Sequence, residues 1–151
     1  MPKNNIRYLV NAATEQELCA HLKECSVDFN PPLAERVHIE EYSKKLFEKS
    51  VLFEAWVGNI IVGLIAAYFN DSLGRCAFIT SVSVLKSFTG LGIASELLKM
   101  CIAHARQNDY KEINLEVSGA SGQAIRLYKK YDFVNCGCRG DALLMKLDLA
   151  L

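Results

Sequence analysis

The chain has 151 residues, 51% hydrophobic and 23% charged, which is typical of a folded globular protein and excludes a disordered or fibrous one. Seventeen basic residues balance seventeen acidic ones, so the chain lacks the basic excess of a general nucleic-acid-binding protein. The longest apolar stretch, residues 60–69, is far shorter than the roughly 20 residues of a membrane-spanning helix. We expect one soluble, cytoplasmic domain over residues 1–151, without a secretory signal and without nucleic-acid or membrane partners.

The cysteine pattern predicts neither a metal site nor disulfides. The six cysteines include no Cys-x-x-Cys pair, and only three histidines accompany them. Cys76 and Cys101 lie among apolar neighbours, as small core residues do. Cys136 and Cys138 are interpreted as strand residues that share one face. With no export signal, the thiols are expected to be reduced.

The N-terminal half predicts a short strand at 6–10 followed by two helices. Thr14 and Glu17 have the spacing of a capping box, in which two side chains satisfy free backbone N–H groups at a helix start. Two prolines at 31–32 break the chain, and apolar residues at helical spacing predict a second helix over 36–49.

Three strands follow these helices. The runs 51–57 and 60–69 are joined by a tight hairpin turn at 58–59, and a third strand over 76–84 follows a loop. Residues 60–69 are almost wholly apolar, which is typical of a strand covered on both faces.

The C-terminal half predicts a helix ending near Gln107, a strand over 111–117, a helix capped by Ser121 and two final strands over 133–138 and 142–149. The first helix has two adjacent apolar rows, which indicate a wide buried face. Strands and helices in this order predict an α/β or α+β protein, a sheet with helices on both faces.

A glycine-rich turn, Gly90-Leu91-Gly92-Ile93-Ala94, opens the longest of these helices. Backbone N–H groups at a helix start carry partial positive charge, and glycines let a phosphate approach them closely. A Walker A loop is excluded because Ile93 follows Gly92, and a dinucleotide fingerprint would need a third glycine where Ser95 stands. A glycine turn without a ligand remains an alternative.

Two blocks of sequence resemble the GCN5-related N-acetyltransferases (GNAT superfamily). Residues 84–94 are similar to the acetyl-CoA signature of that family. Residues 115–133, with Ser121, Ala124, Leu127-Tyr128 and Asp132-Phe133, are similar to its Asn-x-x-Ala-x-x-Leu-Tyr-x-x-x-Gly-Phe block. The resemblance spans about 77–133. It implies a mixed, mostly antiparallel sheet of six to seven strands, flanked by about four helices, with a splayed central strand pair.

The resemblance also implies which residues bind acetyl-CoA, the acetyl donor. The backbone of the strand ending at Val84 would pair with pantetheine, and the loop and helix start would hold the pyrophosphate. The implied cofactor-binding residues are Val82, Ser83, Val84, Thr89, Gly90, Leu91, Gly92, Ile93, Ala94, Ser95 and Ser121. Thr89 replaces the usual Arg or Gln, with Lys86 as a nearby charge, and Ser121 replaces the usual Asn, which predicts weaker cofactor contacts. Asp132 replaces a glycine but tolerates a left-handed backbone.

For catalysis, the resemblance implies that Tyr128 is the general acid that protonates the departing thiolate. Glu116 is the candidate general base and Glu54 the second candidate. The structural alternatives are a core aromatic for Tyr128 and a solvated carboxylate for Glu116. Because no Ser-His-Asp or Cys-His arrangement is evident, we expect direct attack by the amine.

The acceptor is expected to contact Phe29, Arg36 and Glu54, since a rigid proline corner can form the wall of a pocket. The leading hypothesis is transfer of acetyl to a primary amine of a small molecule, an amino sugar being one candidate. A protein or peptide N-acetyltransferase and a non-catalytic CoA-binding or partner-binding module are the alternatives. A monomer or a homodimer is expected.

Overall fold

The computed structural model describes residues 5–29 and 31–149, which form seven strands and five helices. In chain order they are β1 (Arg7–Val10), α1 (Glu15–Cys25), α2 (Leu33–Arg36), α3 (Ile39–Lys49), β2 (Val51–Val57), β3 (Ile60–Tyr68), β4 (Cys76–Val84), α4 (Ile93–Gln107), β5 (Glu112–Ser118), α5 (Gly122–Lys130), β6 (Val134–Arg139) and β7 (Ala142–Asp148). No helix within these residues is long and apolar enough to cross a membrane.

All seven strands form one sheet in the order β1-β2-β3-β4-β5-β7-β6. Every neighbouring pair is antiparallel except β4 and β5, which are parallel. The predicted fold class, a mixed and mostly antiparallel sheet with flanking helices, is therefore confirmed.

Helices cover both faces of the sheet. On β2 and β3, Leu52 and Leu64 pack with residues of α1, α2 and α3, whereas Phe53 and Ile65 pack with residues of α4. Successive strand residues point to opposite faces, so the apolar run of β3 fills both layers. Residues 61–67 are all buried, as the sequence predicts.

The start of α1 confirms the predicted capping box. Thr14 Oγ1 accepts a hydrogen bond from the backbone N–H of Glu17 at 3.1 Å, and Glu17 Oε1 accepts one from the N–H of Thr14 at 2.8 Å. These contacts satisfy two backbone donors that the helix itself leaves free. The buried face of α1 packs against β3 and α3.

The predicted second helix over 36–49 is wrong at its start. Residues 33–36 form the separate one-turn helix α2, anchored by the buried Leu33, and α3 begins only at Ile39. The chain is extended at Val37 and His38, which ends α2 and separates it from α3. Arg36 therefore ends its own turn instead of beginning a long helix. Asn30 of the predicted proline corner lies outside the described residues.

Three local predictions also need correction. Ser121 stands at the cap position of α5 but its side chain makes no capping hydrogen bond. Cys76 is half-buried, whereas Cys101 is fully buried as predicted, and all six cysteines are free. Cys136 falls in an irregularity of β6 between the pairs that Asn135 and Gly137 make with β7, so strict alternation with Cys138 is lost.

Candidate active site

The site begins where the two parallel strands separate. β4 and β5 pair only from Cys76 with Glu112 to Ile79 with Leu115. Beyond this point both strands continue, to Val84 and Ser118, without pairing to each other. The splayed central pair that the sequence predicts is therefore present. It leaves backbone N–H and C=O groups of β4 facing the gap, where a ligand can take the place of a strand.

A bulge at Thr80 changes which side chains enter this gap. Ile79 pairs with Ala67 and Ser81 with Ala66, so Thr80 is one extra residue on β4. Before the bulge, Ile79 faces the α4 layer; after it, Val82 packs against that layer and Ser83 contacts α1 on the other face.

Two cavities meet at the gap, one between the separated strands and one beside the glycine turn. The first, which we call the cleft cavity, has a volume of about 310 Å³. It is lined by the separated parts of β4 and β5 together with Cys25, Asp28, Phe29, Arg36 and Tyr128. A broader groove of about 720 Å³ continues from it past Arg36 and the end of β5 to the β6–β7 turn.

The second cavity, which we call the glycine-loop cavity, has a volume of about 550 Å³ and lies between the start of α4 and α5. Val82, Val84, Ala124 and Tyr128 line both it and the cleft cavity. A ligand that extends along β4 would thus pass Tyr128 on its way from one cavity to the other.

The glycine turn has a backbone conformation that favours glycine. Gly90 and Gly92 both have φ of +80°, and Gly92 is the cap residue of α4 in the left-handed conformation. A Cβ atom at either position would meet no heavy atom within 4 Å, so conformation and not space requires glycine here. Ile93, Ala94 and Ser95 line the cavity, and their N–H groups have no partner within the helix.

The structure changes the expected source of polar contacts around this turn. The hydroxyl of Thr89 donates a hydrogen bond to the backbone carbonyl of Lys86 at 2.9 Å, so its proton serves the loop itself. Arg126 and Lys130 of α5 line the glycine-loop cavity, whereas Lys86 does not. Arg126 and Lys130 were missed from the sequence because only the apolar face of α5 was taken into account. Their spacing of four residues, which places both on one side of a helix, was the available signal.

Three further predicted cofactor residues lie around the two cavities. Ser95 forms a side-chain hydrogen bond with the hydroxyl of Tyr131, which connects the first turn of α4 to the end of α5. Leu91 packs against the apolar core below the turn. Ser121 lines the cleft cavity.

Tyr128 is one of the four residues that line both cavities. Only 5% of it is exposed, and its ring lies 5.7 Å from that of Phe133 between centroids. Burial, with a smaller contribution from Cys101, raises the pKa of the phenol to about 12. Tyr128 is therefore a neutral hydrogen-bond donor at neutral pH.

Glu116 lies where the cleft cavity opens into the groove. Its neighbours Leu115 and Val117 are buried, and Glu116 lies on the opposite, exposed face of β5, as its strand position predicts. Arg139 Nη1 donates a hydrogen bond to Glu116 Oε2 at 2.9 Å, and this exposed ion pair crosses the mouth from β5 to β6.

The structure brings the proposed acceptor residues Phe29 and Arg36 together. The guanidinium carbon of Arg36 lies 5.7 Å from the centre of the Phe29 ring, and both residues line the cleft cavity. The cleft cavity is also lined by the acidic Asp28 and Glu116, so side chains of both charge signs surround it.

The expectation that Glu54 contacts the acceptor is wrong. Glu54 is fully buried on β2, and its carboxylate accepts hydrogen bonds from the backbone N–H groups of Ala12 and Ala13, each at 3.1 Å, and from Trp56 Nε1 at 3.0 Å. A carboxylate with three donors is a structural link between β2 and the chain that follows β1. It does not line either cavity.

Sequence reasoning missed His21 and expected no serine–histidine or cysteine–histidine arrangement. His21 is buried, and its Nε2 lies 2.8 Å from Ser83 Oγ and 3.7 Å from Cys25 Sγ. Leu18, His21, Leu22 and Cys25 form one face of α1, so the signal available was a histidine on an apolar helix face.

Comparison with known proteins identifies the family. The N-alpha-acetyltransferase of Saccharolobus solfataricus is 32% identical over 102 residues, 64% of this chain and 60% of that protein. The N-alpha-acetyltransferase of Sulfolobus acidocaldarius is 28% identical over 140 residues, 87% of this chain and 82% of that protein. The chain thus spans less than two thirds of the first relative's length.

A solved structure shows the same fold over nearly the whole chain. The GNAT family acetyltransferase of Elizabethkingia anophelis with acetyl-CoA bound has a TM-score of 0.73 at 22% identity, covering 97% of this chain and 100% of that one. Residues 14–133 match the acetyltransferase (GNAT) family. This range includes both blocks of sequence that resemble the family. The chain belongs to the acetyltransferase (GNAT) family.

Proposed function

We propose that the protein transfers the acetyl group of acetyl-CoA to a primary amine of a small molecule. The observation that carries this proposal is the meeting of two cavities at Tyr128, one below a glycine-rich helix start and the other lined by charged side chains. The first suits an anionic, phosphate-bearing donor and the second a polar acceptor.

The donor side suits coenzyme A in its charge and in its free backbone groups. The free N–H groups at the start of α4 suit a pyrophosphate, and Arg126 and Lys130 add positive charge on the facing helix. The unpaired edge of β4 at Val82, Ser83 and Val84 offers backbone groups to the amides of pantetheine. Arg126, Lys130 and the β4 backbone would therefore make up for the weaker coenzyme A contacts expected of Thr89 and Ser121.

In the reaction, the amine nitrogen forms a bond to the acetyl carbon, the bond from that carbon to sulfur breaks, and one proton leaves the nitrogen while the thiolate gains one. Tyr128 would face the departing sulfur. Because a phenol with a pKa of about 12 is a weaker acid than a thiol, Tyr128 stabilises the developing thiolate chiefly by donating a hydrogen bond.

Glu116 is the proposed acceptor of the amine proton. It lies at the mouth of the cleft cavity, where an incoming ammonium group would meet a carboxylate before it reaches Tyr128. Arg139 holds one of its oxygens, so the carboxylate is oriented before the acceptor arrives. Phe29 and Arg36 would bind the rest of the acceptor.

A second candidate function is acetylation of a peptide or protein N-terminus. The groove beyond Glu116 is open enough to continue the cleft cavity along an extended chain, and two relatives are named N-alpha-acetyltransferases. The non-catalytic alternative would retain acetyl-CoA binding, a partner site or both without turnover.

The test combines binding and turnover on the purified full chain. Calorimetric titration with acetyl-CoA, with CoA for comparison, is expected to show micromolar affinity. Release of free thiol is then measured with amino sugars, polyamines, amino acids and peptides with a free or blocked N-terminus. Turnover with small amines supports the proposal, turnover confined to peptides with a free N-terminus supports the second candidate, and binding without any turnover refutes both.

A tyrosine pair separates the role of Tyr128 from general effects of losing a hydroxyl. Tyr128→Phe is expected to lower kcat about 100-fold with the acetyl-CoA Kd within about threefold, as for loss of one hydrogen-bond donor to a developing negative charge. Tyr110→Phe is the matched control, because the Tyr110 hydroxyl bonds only the backbone carbonyl of Phe69 in the described contacts and lies outside both cavities. Equal kcat values for the two variants would refute the catalytic role.

A further inference from the structure

The buried His21 joins two strands of the sheet from its position on α1. Its Nδ1 lies 2.9 Å from the backbone carbonyl oxygen of Ile61 on β3, and its Nε2 lies 2.8 Å from Ser83 Oγ on β4. Only 4% of His21 is exposed. Both ring nitrogens are therefore engaged by protein groups, and the direction of each hydrogen bond follows from the chemistry of its partner.

The carbonyl of Ile61 can only accept a hydrogen bond, so His21 Nδ1 must carry the proton. In a neutral imidazole the other nitrogen is then an acceptor. Two groups could donate to this nitrogen, the Ser83 hydroxyl at 2.8 Å and the Cys25 thiol at 3.7 Å. The hydroxyl is both nearer and the stronger donor, so Ser83 donates its proton to His21 Nε2. With its proton committed, Ser83 Oγ can only accept further hydrogen bonds.

Burial keeps His21 in the neutral form that this reasoning requires. Desolvation lowers the pKa of its imidazole to about 4, and the same effect raises the pKa of the neighbouring Cys25 thiol to about 11. The cluster holds no charge at neutral pH. A histidine so reluctant to take a proton is a poor base, and its role is to hold a hydroxyl in one orientation.

Ser83 presents this oriented oxygen at the cleft cavity. The residue is 8% exposed and lines the cavity, on the side of β4 opposite Val82. Ser81, on the same side, has a buried hydroxyl for which the described residues provide no hydrogen-bond partner. The Cys25 thiol is the only other side chain hydrogen-bonded to Ser83 in the described residues, and it is a weak donor that an amine N–H can displace. The α1 side of the cleft cavity therefore offers hydroxyl oxygens to a ligand.

We propose that Ser83 Oγ binds an N–H group of the acceptor amine and that His21 is the positioning residue that makes this oxygen an obligatory acceptor. This role rests on the proposed amine acetylation. The arrangement would orient the amine so that its lone pair points away from Ser83 and toward the donor on the β4 edge. It also assigns the Ser83 side chain a role separate from that of its backbone.

The first test is independent of turnover. Nitrogen-15 NMR of the full chain with labelled histidine, assigned by comparison with His21→Asn, is expected to show His21 at pH 7 as the neutral tautomer protonated at Nδ1. A tautomer protonated at Nε2, or a charged ring, would overturn the proposal because Ser83 would then be free to donate.

The second test is a comparison of kinetic parameters. Ser83→Ala is expected to raise the KM for the amine about fivefold to tenfold, the effect of one lost hydrogen bond, while the acetyl-CoA Kd stays within twofold. Ser83→Thr restores the hydroxyl and is expected to return the KM to within threefold. Ser43→Ala, which removes a buried serine hydroxyl bonded to Ile39 within α3, is the control for fold effects.

The outcomes are distinguishable from failure of the proposed function. If the native protein acetylates no amine, the function and the acceptor role of Ser83 both fall, whatever the tautomer of His21. If the native protein is active but Ser83→Ala has an unchanged amine KM, or Ser83→Thr fails to recover it, the function stands and the role of Ser83 is overturned.

Discussion

Acid is expected to destabilise this protein through His21. The imidazole has a pKa of about 4 in the folded protein against an ordinary value of 6.5, so the unfolded chain binds the proton more tightly. The contribution of neutral His21 to stability is fully present above pH 6.5 and is lost as the pH falls through 4. Linkage with these two values gives a loss of about 2 kcal/mol between pH 7 and pH 5, and about 3 kcal/mol in total.

The assay is urea-induced unfolding at pH 7, 6 and 5 for the native protein and two variants. His21→Asn lacks the titrating group and is expected to lose about 2 kcal/mol less than the native protein over this range, although it is less stable at pH 7. His38→Asn removes an exposed histidine and serves as the control. Carboxylates and His104 titrate in all three proteins, so their effects cancel in the comparison. Equal pH slopes for the native protein and His21→Asn would refute the reasoning.

Three further substitutions test local features. Glu54→Gln places an amide donor against the N–H groups of Ala12 and Ala13, which now donate hydrogen bonds to Glu54. The free energy of unfolding should fall by about 1–3 kcal/mol with kcat/KM unchanged, and lost turnover at native stability would contradict this. Gly63→Ala puts a Cβ 2.5 Å from Ile93 Cγ2, so calorimetry should show weaker acetyl-CoA binding and thermal unfolding a loss of about 1–3 kcal/mol. Asp132→Gly relieves a left-handed φ of +73° and should raise stability by about 1 kcal/mol; a lower Tm would contradict this.

The features that the sequence predicts well are those whose cause is local. The capping box at Thr14 needs only a side chain three residues away, and the hairpin at 58–59 needs only two residues that fit a tight turn. The left-handed backbone at Asp132 agrees with the resemblance, which has a glycine at this position, and it depends on the residue itself. Each rule concerns neighbours along the chain, so the rest of the fold does not alter it.

The features that it misses depend on contacts between distant residues. His21 and Ser83 are 62 positions apart, and neither belongs to a motif that names the other. Glu54 is the one charged residue in the apolar run 51–57, which makes it a candidate for function. Its partners Ala12 and Ala13, however, are set by the pairing of β1 with β2. Polarity in a buried strand indicates a partner without identifying it.

The bulge at Thr80 explains how one strand can serve both substrates. Without the extra residue, alternation along β4 would carry Ser81 and Ser83 onto the same face as Ile79, against the α4 layer. The bulge instead leaves the apolar Val82 and Val84 on the side of the glycine-loop cavity and turns the two serines toward α1 and His21. The bulge lies directly after Ile79, the last residue of β4 that pairs with β5. The side chains of β4 therefore change faces at the point where the cleft opens. A single inserted residue therefore gives β4 an apolar side for the donor and a polar side for the proposed acceptor.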